Sequence, residues 1–123
     1  IEDNSIRISE KVILSDKEKY YNIIDNSLKK LNIKDFKFDV LRDDLEVIKY
    51  NEGNFFKKHH DFEMYHSNIL KAYSLLIYLN ENYENGETLL YLHKNDKEIS
   101  IKGKTGQGLL FRNDIEHEGS IVK

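Results

Sequence analysis

Two hydrophobic periods divide the chain. Tyr21, Ile24, Leu28 and Leu31 recur at three- and four-residue spacing, the repeat of a single buried helix face. Ser15-Asp16-Lys17-Glu18 stands ahead of them as a capping box, in which the serine and glutamate side chains satisfy backbone N–H groups of the first turn. The spacing predicts an amphipathic helix over 16–31. Before it, Ile6 and Ile8 alternate with polar neighbours and Val12-Ile13-Leu14 is a short apolar run, so at least one strand is expected there.

After about residue 44 the period falls to two and turn formers recur at short intervals. Leu45-Glu46-Val47-Ile48-Lys49-Tyr50 reads as a strand closed by Asn51-Glu52-Gly53, and Tyr73 to Leu79 as a buried strand. Asn85-Gly86 is a hairpin-type turn signal with Thr88 to Leu92 as the return strand. A turn at Asn95-Asp96 leads to Ile99-Ser100-Ile101, and Leu109-Leu110-Phe111 and Ser120-Ile121-Val122 complete the set. Many short strands behind one helix predict a mainly β (α+β) fold, a sandwich or jelly roll with helical packing on one side. An open α/β sheet would need helices between the strands, and the pattern shows none after residue 44.

The 123 residues suit one domain, and 39% hydrophobic residues with 6 Phe and 8 Tyr supply a core for it. The absence of cysteine excludes a disulfide scaffold, a thiolate metal site and a cysteine nucleophile, so any metal must be held by His and carboxylate. No apolar run approaches the ~18 residues of a membrane helix. The acidic, polar start Ile1-Glu2-Asp3-Asn4 is unlike a signal peptide, and no Asn-x-Ser/Thr acceptor occurs. A soluble, cytoplasmic protein is expected, without a membrane partner. A net charge of −3 with interspersed signs and no basic stripe leaves nucleic acid unsupported as a partner and disfavours a polyanionic substrate.

His59-His60-Asp61 is the most informative triplet. On a strand, residues 59 and 61 project from one face, putting an imidazole and a carboxylate into one cavity. His117 follows the apolar run 109–111 and offers a second imidazole. Two His and one carboxylate on one side of a metal form the ligand set of non-haem Fe(II), with the opposite positions open. Taken alone, His-x-Asp reads as a surface charge pair rather than a metal site. His60 would point to the other face, in a packing or supporting role, and His66 and His93 carry no flanking pattern.

Tyr50-x-x-Gly53-x-x-Phe56-x-x-His59-x-Asp61, Tyr78-Leu79-Asn80, Gly86-Glu87-Thr88, Leu109-x-Phe111 and His117-x-Gly119-x-x-Val122 follow one another in an order that resembles the Fe(II)- and 2-oxoglutarate-dependent dioxygenases of the prolyl 4-hydroxylase type. The resemblance runs from residue 45 to the end of the chain. It implies a double-stranded β-helix, a jelly-roll barrel, with His59, Asp61 and His117 as metal ligands. It also implies Fe(II) as cofactor, 2-oxoglutarate and O2 as co-substrates, and room for ascorbate as an accessory reductant. Tyr78 falls where a phenol hydrogen-bonds the distal carboxylate of 2-oxoglutarate in some members, and Tyr50 where a residue lines the active site. Asn85 replaces the first glycine of the family's Gly-Gly-Glu-Thr turn, a mild exchange because Asn tolerates the left-handed conformation.

The family's distal basic residue, which pairs with that carboxylate, would fall past Lys123. Lys123 itself comes too soon after His117 to match. A carboxylate drawn into a partly dry barrel without a cation bears a desolvation cost of several kcal/mol. Three readings follow: the chain stops short of the natural C-terminus, Arg112 or Lys104 substitutes, or 2-oxoglutarate binds poorly. Truncation is expected, because the last strand of the fold is also missing and the chain begins with Ile. Gly103-Lys104-Thr105 looks like the end of a phosphate loop, but Glu98 stands where the first glycine belongs and no helix follows. A tight turn into a strand is expected instead.

The resulting expectation is one dioxygenase domain over 1–123 that hydroxylates a C–H bond. A prolyl residue of a peptide or protein fits the resemblance best, and small-molecule substrates stay open. A non-catalytic barrel that binds without turnover is the alternative, and a metal-dependent hydrolase ranks last for want of a general base.

Overall fold

The computed structural model describes residues 7–15, 17–31, 45–61 and 73–123. These form two compact units: the described residues up to Ser9 with those of Tyr50–Lys123, and the described residues of Glu10–Lys49. In the smaller unit the three- and four-residue period produces helix α1, Lys17–Lys29. Tyr21 is buried and Ile24 and Leu28 are half-buried, so the predicted face is real for two turns. Leu31 is exposed because the helix stops at Lys29 and the stripe ends with it. Glu18 in the first turn and Lys29 in the last each oppose the partial charge of the helix end they occupy. Asp16 of the capping box and Ile6 of the first predicted strand lie outside the described residues.

Strands β2 (Glu10–Ile13) and β3 (Glu46–Lys49) pair antiparallel in the same unit, with Glu10 opposite Lys49 and Ile13 opposite Glu46. The register places opposite charges together, and Lys11 Nζ lies 3.1 Å from Glu46 Oε1. Val12 and Ile13 form the expected strand but are exposed in it.

The larger unit holds β1 (Arg7–Ile8), β4 (Phe55–His59), β5 (Tyr73–Ile77), β6 (Thr88–Leu92), β7 (Lys97–Ile101), β8 (Gly108–Arg112) and β9 (Glu116–Gly119). Five of them make an antiparallel sheet in the order β1-β4-β9-β6-β7, and β5 pairs with β8 in a second sheet. Among the described residues only β6 and β7 are joined as a hairpin, through a 3-10 turn at His93–Asn95 and the left-handed Asp96. The other neighbours are far apart in sequence, which is the interleaved winding of a double-stranded β-helix. No helix among the described residues is long and apolar enough to cross a membrane.

The register defines two rows across the large sheet. Arg7, Phe56, Gly119, Thr88 and Ile101 form one, and His59, His117, Leu90 and Ile99 the next. Residues opposed in an antiparallel ladder share a face, and this face carries the buried Leu90, Thr88 and His117. The alternate residues Tyr91, Glu116 and Glu118 face outward, where Lys58 lies over the Tyr91 ring at 4.0 Å.

Three expectations change. Asn85 and Gly86 have the positive φ values (55° and 68°) of a tight turn, yet they do not join β5 to β6 as a hairpin. Their segment pairs with the chain end: Gly86 N–H donates to Ile121 O at 3.2 Å and Ser120 N–H to Glu87 O at 2.9 Å. Local chemistry fixes the turn, and long-range pairing decides which strands flank it. The last strand is β9, Glu116–Gly119, with only an isolated bridge at Val122 in place of a strand over 120–122. Finally, β5 ends at Ile77 and is buried mainly at Ser74; Ile77 is exposed, as is Leu79 beyond the strand.

Candidate metal centre

His59 ends β4 and stands directly opposite His117 on β9. The ring centroids are 4.1 Å apart. Each ring is oriented by its own strand: His59 Nδ1 lies 2.6 Å from Lys57 O and His117 Nδ1 lies 2.9 Å from Ile115 O. A carbonyl oxygen only accepts, so both Nδ1 atoms carry hydrogen, and in the neutral rings both Nε2 lone pairs are free. Phe56 stacks on His59 at 3.5 Å between centroids, and Phe111 meets His117 edge-on at 4.7 Å. Aromatic walls therefore hold the imidazoles and shield them from water.

Asp61 lies just past the end of β4, so strand alternation is not what aims it. Two hydrogen bonds do: its backbone N–H donates to Asn113 O at 2.9 Å, and its Oδ2 accepts from Ser74 Oγ at 2.6 Å. Oδ1 is then left 3.4 Å from His59 Nε2 and 3.6 Å from His117 Nε2. The three side chains can offer ligand atoms that all lie within 4.8 Å of one another.

Their electrostatics suit a cation. Burial pushes the His117 imidazole below its usual pKa, with the Ile115 carbonyl and Asp61 opposing, and so favours the neutral form that ligates metal. Burial acts to raise Asp61, but contact with His59, the Ser74 hydroxyl and the His117 ring hold its carboxyl below the ordinary carboxylate range. His59 Nε2 is buried without a hydrogen-bond partner. Two nitrogen lone pairs and a carboxylate oxygen converging in a mostly buried space repel one another unless a cation lies among them. The donor set fits Fe(II).

Tyr78 and Tyr50 lie elsewhere in the same unit. The Tyr78 hydroxyl is 2.8 Å from Thr88 Oγ1, and burial raises its pKa. Thr88 is two residues along β6 from Leu90, the partner of His117, which places this pair of hydroxyls about 7 Å along the strand from the row that holds His59 and His117. Tyr50 is half-buried, its pKa raised by burial against the opposing Arg7 charge and hydrogen bond. Arg7 in turn lies 5.1 Å from the Phe56 ring centroid. Arg112 is exposed and paired with Asp114, and Lys104 is exposed in the 103–107 turn. His93 is exposed, 2.6 Å from Glu116 Oε1, and His60 is half-buried. His66 lies outside the described residues.

Reading the sequence missed Ser74, Thr88 and the carbonyl of Asn113. Ser74 did leave a signal, since a hydroxyl inside Tyr73-Ser74-Leu75-Leu76-Ile77 has to find a partner when buried.

Residues 45–123 match the profile of the 2OG-Fe(II) oxygenase superfamily. A curated relative, the uncharacterized protein FPV006/FPV255 of Fowlpox virus (strain NVSL), is 36% identical over 77 residues. That match covers 63% of this chain but 17% of the relative, so the chain spans a small part of it. A crystal structure titled as a Pseudomonas putida prolyl-4-hydroxylase superposes with a TM-score of 0.72 at 19% identity, over 98% of this chain and 68% of that one. At that identity the likeness bears on fold, and it agrees with the jelly-roll topology.

Proposed function

The chain belongs to the 2OG-Fe(II) oxygenase superfamily, and from that premise we propose that it is an Fe(II)- and 2-oxoglutarate-dependent dioxygenase with His59, Asp61 and His117 as iron ligands. The observation that carries this reading is the convergence of three atoms able to ligate a metal, from β4, its following turn and β9. When bound, iron and 2-oxoglutarate supply O2 activation coupled to oxidative decarboxylation, which yields succinate and CO2 and a hydroxylated substrate.

The chain's own residues hold and shape that chemistry. His59 and His117 each donate the Nδ1 hydrogen to a carbonyl of their own strand, Lys57 and Ile115, which in the neutral ring leaves Nε2 as the nitrogen that can ligate. Phe56 and Phe111 wall the ligands with apolar surface. The Tyr78 and Thr88 hydroxyls can turn from each other to donate to a carboxylate, the recognition that the distal end of 2-oxoglutarate requires. A prolyl residue of a peptide or protein is the proposed substrate, supported by the fold shared with the Pseudomonas putida protein.

The test is succinate formation by the full-length protein with Fe(II), 2-oxoglutarate and O2 over a panel of proline-containing peptides, with product mass read alongside. His59→Ala and Asp61→Ala are expected to abolish it. Activity persisting in both would reject the ligand assignment, and iron binding without succinate across the panel would favour a binding module.

A further inference from the structure

The two oxygens of Asp61 are used differently. Oδ1 faces both imidazoles, while Oδ2 is held by Ser74 Oγ at 2.6 Å, the length of a charge-assisted hydrogen bond. Ser74 is 7% exposed, so solvent is poorly placed to replace its hydroxyl. It comes from the other sheet: Ser74 on β5 stands opposite Phe111 on β8, the residue whose ring packs on His117. One cross-strand pair of the small sheet therefore touches two of the three candidate ligands.

We propose that Ser74 is a positioning residue for the metal: by engaging Oδ2 it limits Asp61 to coordination through Oδ1 and keeps the face opposite the triad open. The proposal rests on the iron reading above. Without the hydroxyl, the carboxylate is free to rotate and chelate through both oxygens, which would take up a position a co-substrate needs. Partners behind metal ligands commonly govern affinity by 10–100-fold.

The experiment titrates Co(II) into the full-length protein and records the visible spectrum of the complex, whose intensity and band positions report coordination number. Ser74→Thr keeps the hydroxyl, and Ser74→Val matches threonine in volume without it, so comparing the two cancels packing. Expected results are near wild-type affinity and spectrum for Ser74→Thr, and for Ser74→Val and Ser74→Ala about 10–100-fold weaker binding with an altered spectrum. Equal affinity and spectrum in Ser74→Thr and Ser74→Val would overturn the role of Ser74 while leaving the iron site standing. Wild-type protein that takes up Co(II) no better than His59→Ala would overturn the iron reading and this proposal together.

Discussion

Gly103→Ala tests whether Tyr78 packs against the backbone of residue 103 as the structure has it. Gly103 is buried, and its φ lies outside the left-handed region, so its need is for space and not for a special conformation. A Cβ there would stand 2.1 Å from Tyr78 Cγ and 2.2 and 2.3 Å from the two Cδ atoms. The ring would have to retreat by about 1.3 Å to reach the 3.4 Å of an ordinary contact. The 2.8 Å hydrogen bond between Tyr78 and Thr88 has only about 0.7 Å to spare before it is lost. The backbone cannot easily yield instead, because Tyr78 N–H donates to Gln107 O and Gly106 N–H to Tyr78 O. Overpacking costs about 1–3 kcal/mol and the lost hydrogen bond about 1 more, so the variant is expected to lose about 2–4 kcal/mol. That corresponds to a fall in Tm on the order of 10 °C. Differential scanning calorimetry measures it, and the same change placed in a Tyr78→Ala background isolates the clash. In that background the added methyl meets no ring and the loss should shrink by at least 1 kcal/mol. A wild-type Tm for Gly103→Ala, or an equal loss with and without the tyrosine, would refute the reasoning.

Metal-free protein should lose stability as pH falls: His117 is held below its ordinary 6.5, so beneath that value the unfolded chain takes up a proton that the folded one resists. Asp61, held below 3.8, adds a second loss in the more acid range. Urea midpoints followed against pH should therefore drop on acidification, with the higher-pH limb flattened in His117→Gln, and an unchanged limb in that variant would count against the assignment. Tyr78→Phe and Thr88→Val should each cost about 1–2 kcal/mol by stranding one hydroxyl, whereas the double variant should cost no more than either single one; additive losses by chemical denaturation would show that the pair is not coupled. Asn85→Ala should cost about 1–2 kcal/mol because residue 85 has φ +55°, and Asn85→Gly should not; equal Tm values for the two would argue that the turn adopts another conformation.

Most of the fold was legible where hydrophobic period and turn chemistry coincide. Residues 17–29 and the β6–β7 hairpin formed as their spacing and turn residues predict. The C-terminal strand was not legible, because Glu116-His117-Glu118-Gly119 contains no aliphatic or aromatic core residue. Its inward positions are a candidate ligand and a glycine that admits Phe56, while its outward glutamates are met by Lys58, His93 and Tyr91. Such a strand is held by its neighbours rather than by its own hydrophobicity. Strand order was out of reach for a related reason: β9 inserts between β4 and β6, and nothing local to any of the three specifies that.

The site shows the same limit in a sharper form. Phe56 pairs with Gly119 and His59 with His117, so three steps along β4 are matched by two along β9. One extra residue is accommodated between them, a β-bulge. A ladder running without interruption from Phe56 would bring His59 opposite Glu116 and turn its ring to the outer face, because side chains alternate with period two. The bulge instead leaves Lys57 and Lys58 both exposed and returns His59 to the face of Phe56, against which it stacks. The sequence carries this as an odd spacing, an aromatic and a histidine three apart on what must be a strand. That spacing says that β4 is irregular, but only pairing with residues near the other end of the chain says which way the histidine turns. Asp61 inherits its position from the same irregularity: with β4 ended at His59, its backbone reaches Asn113 and its carboxylate reaches Ser74. The His-x-Asp offset therefore reflects a bulged strand and the turn after it, not two residues of one regular strand.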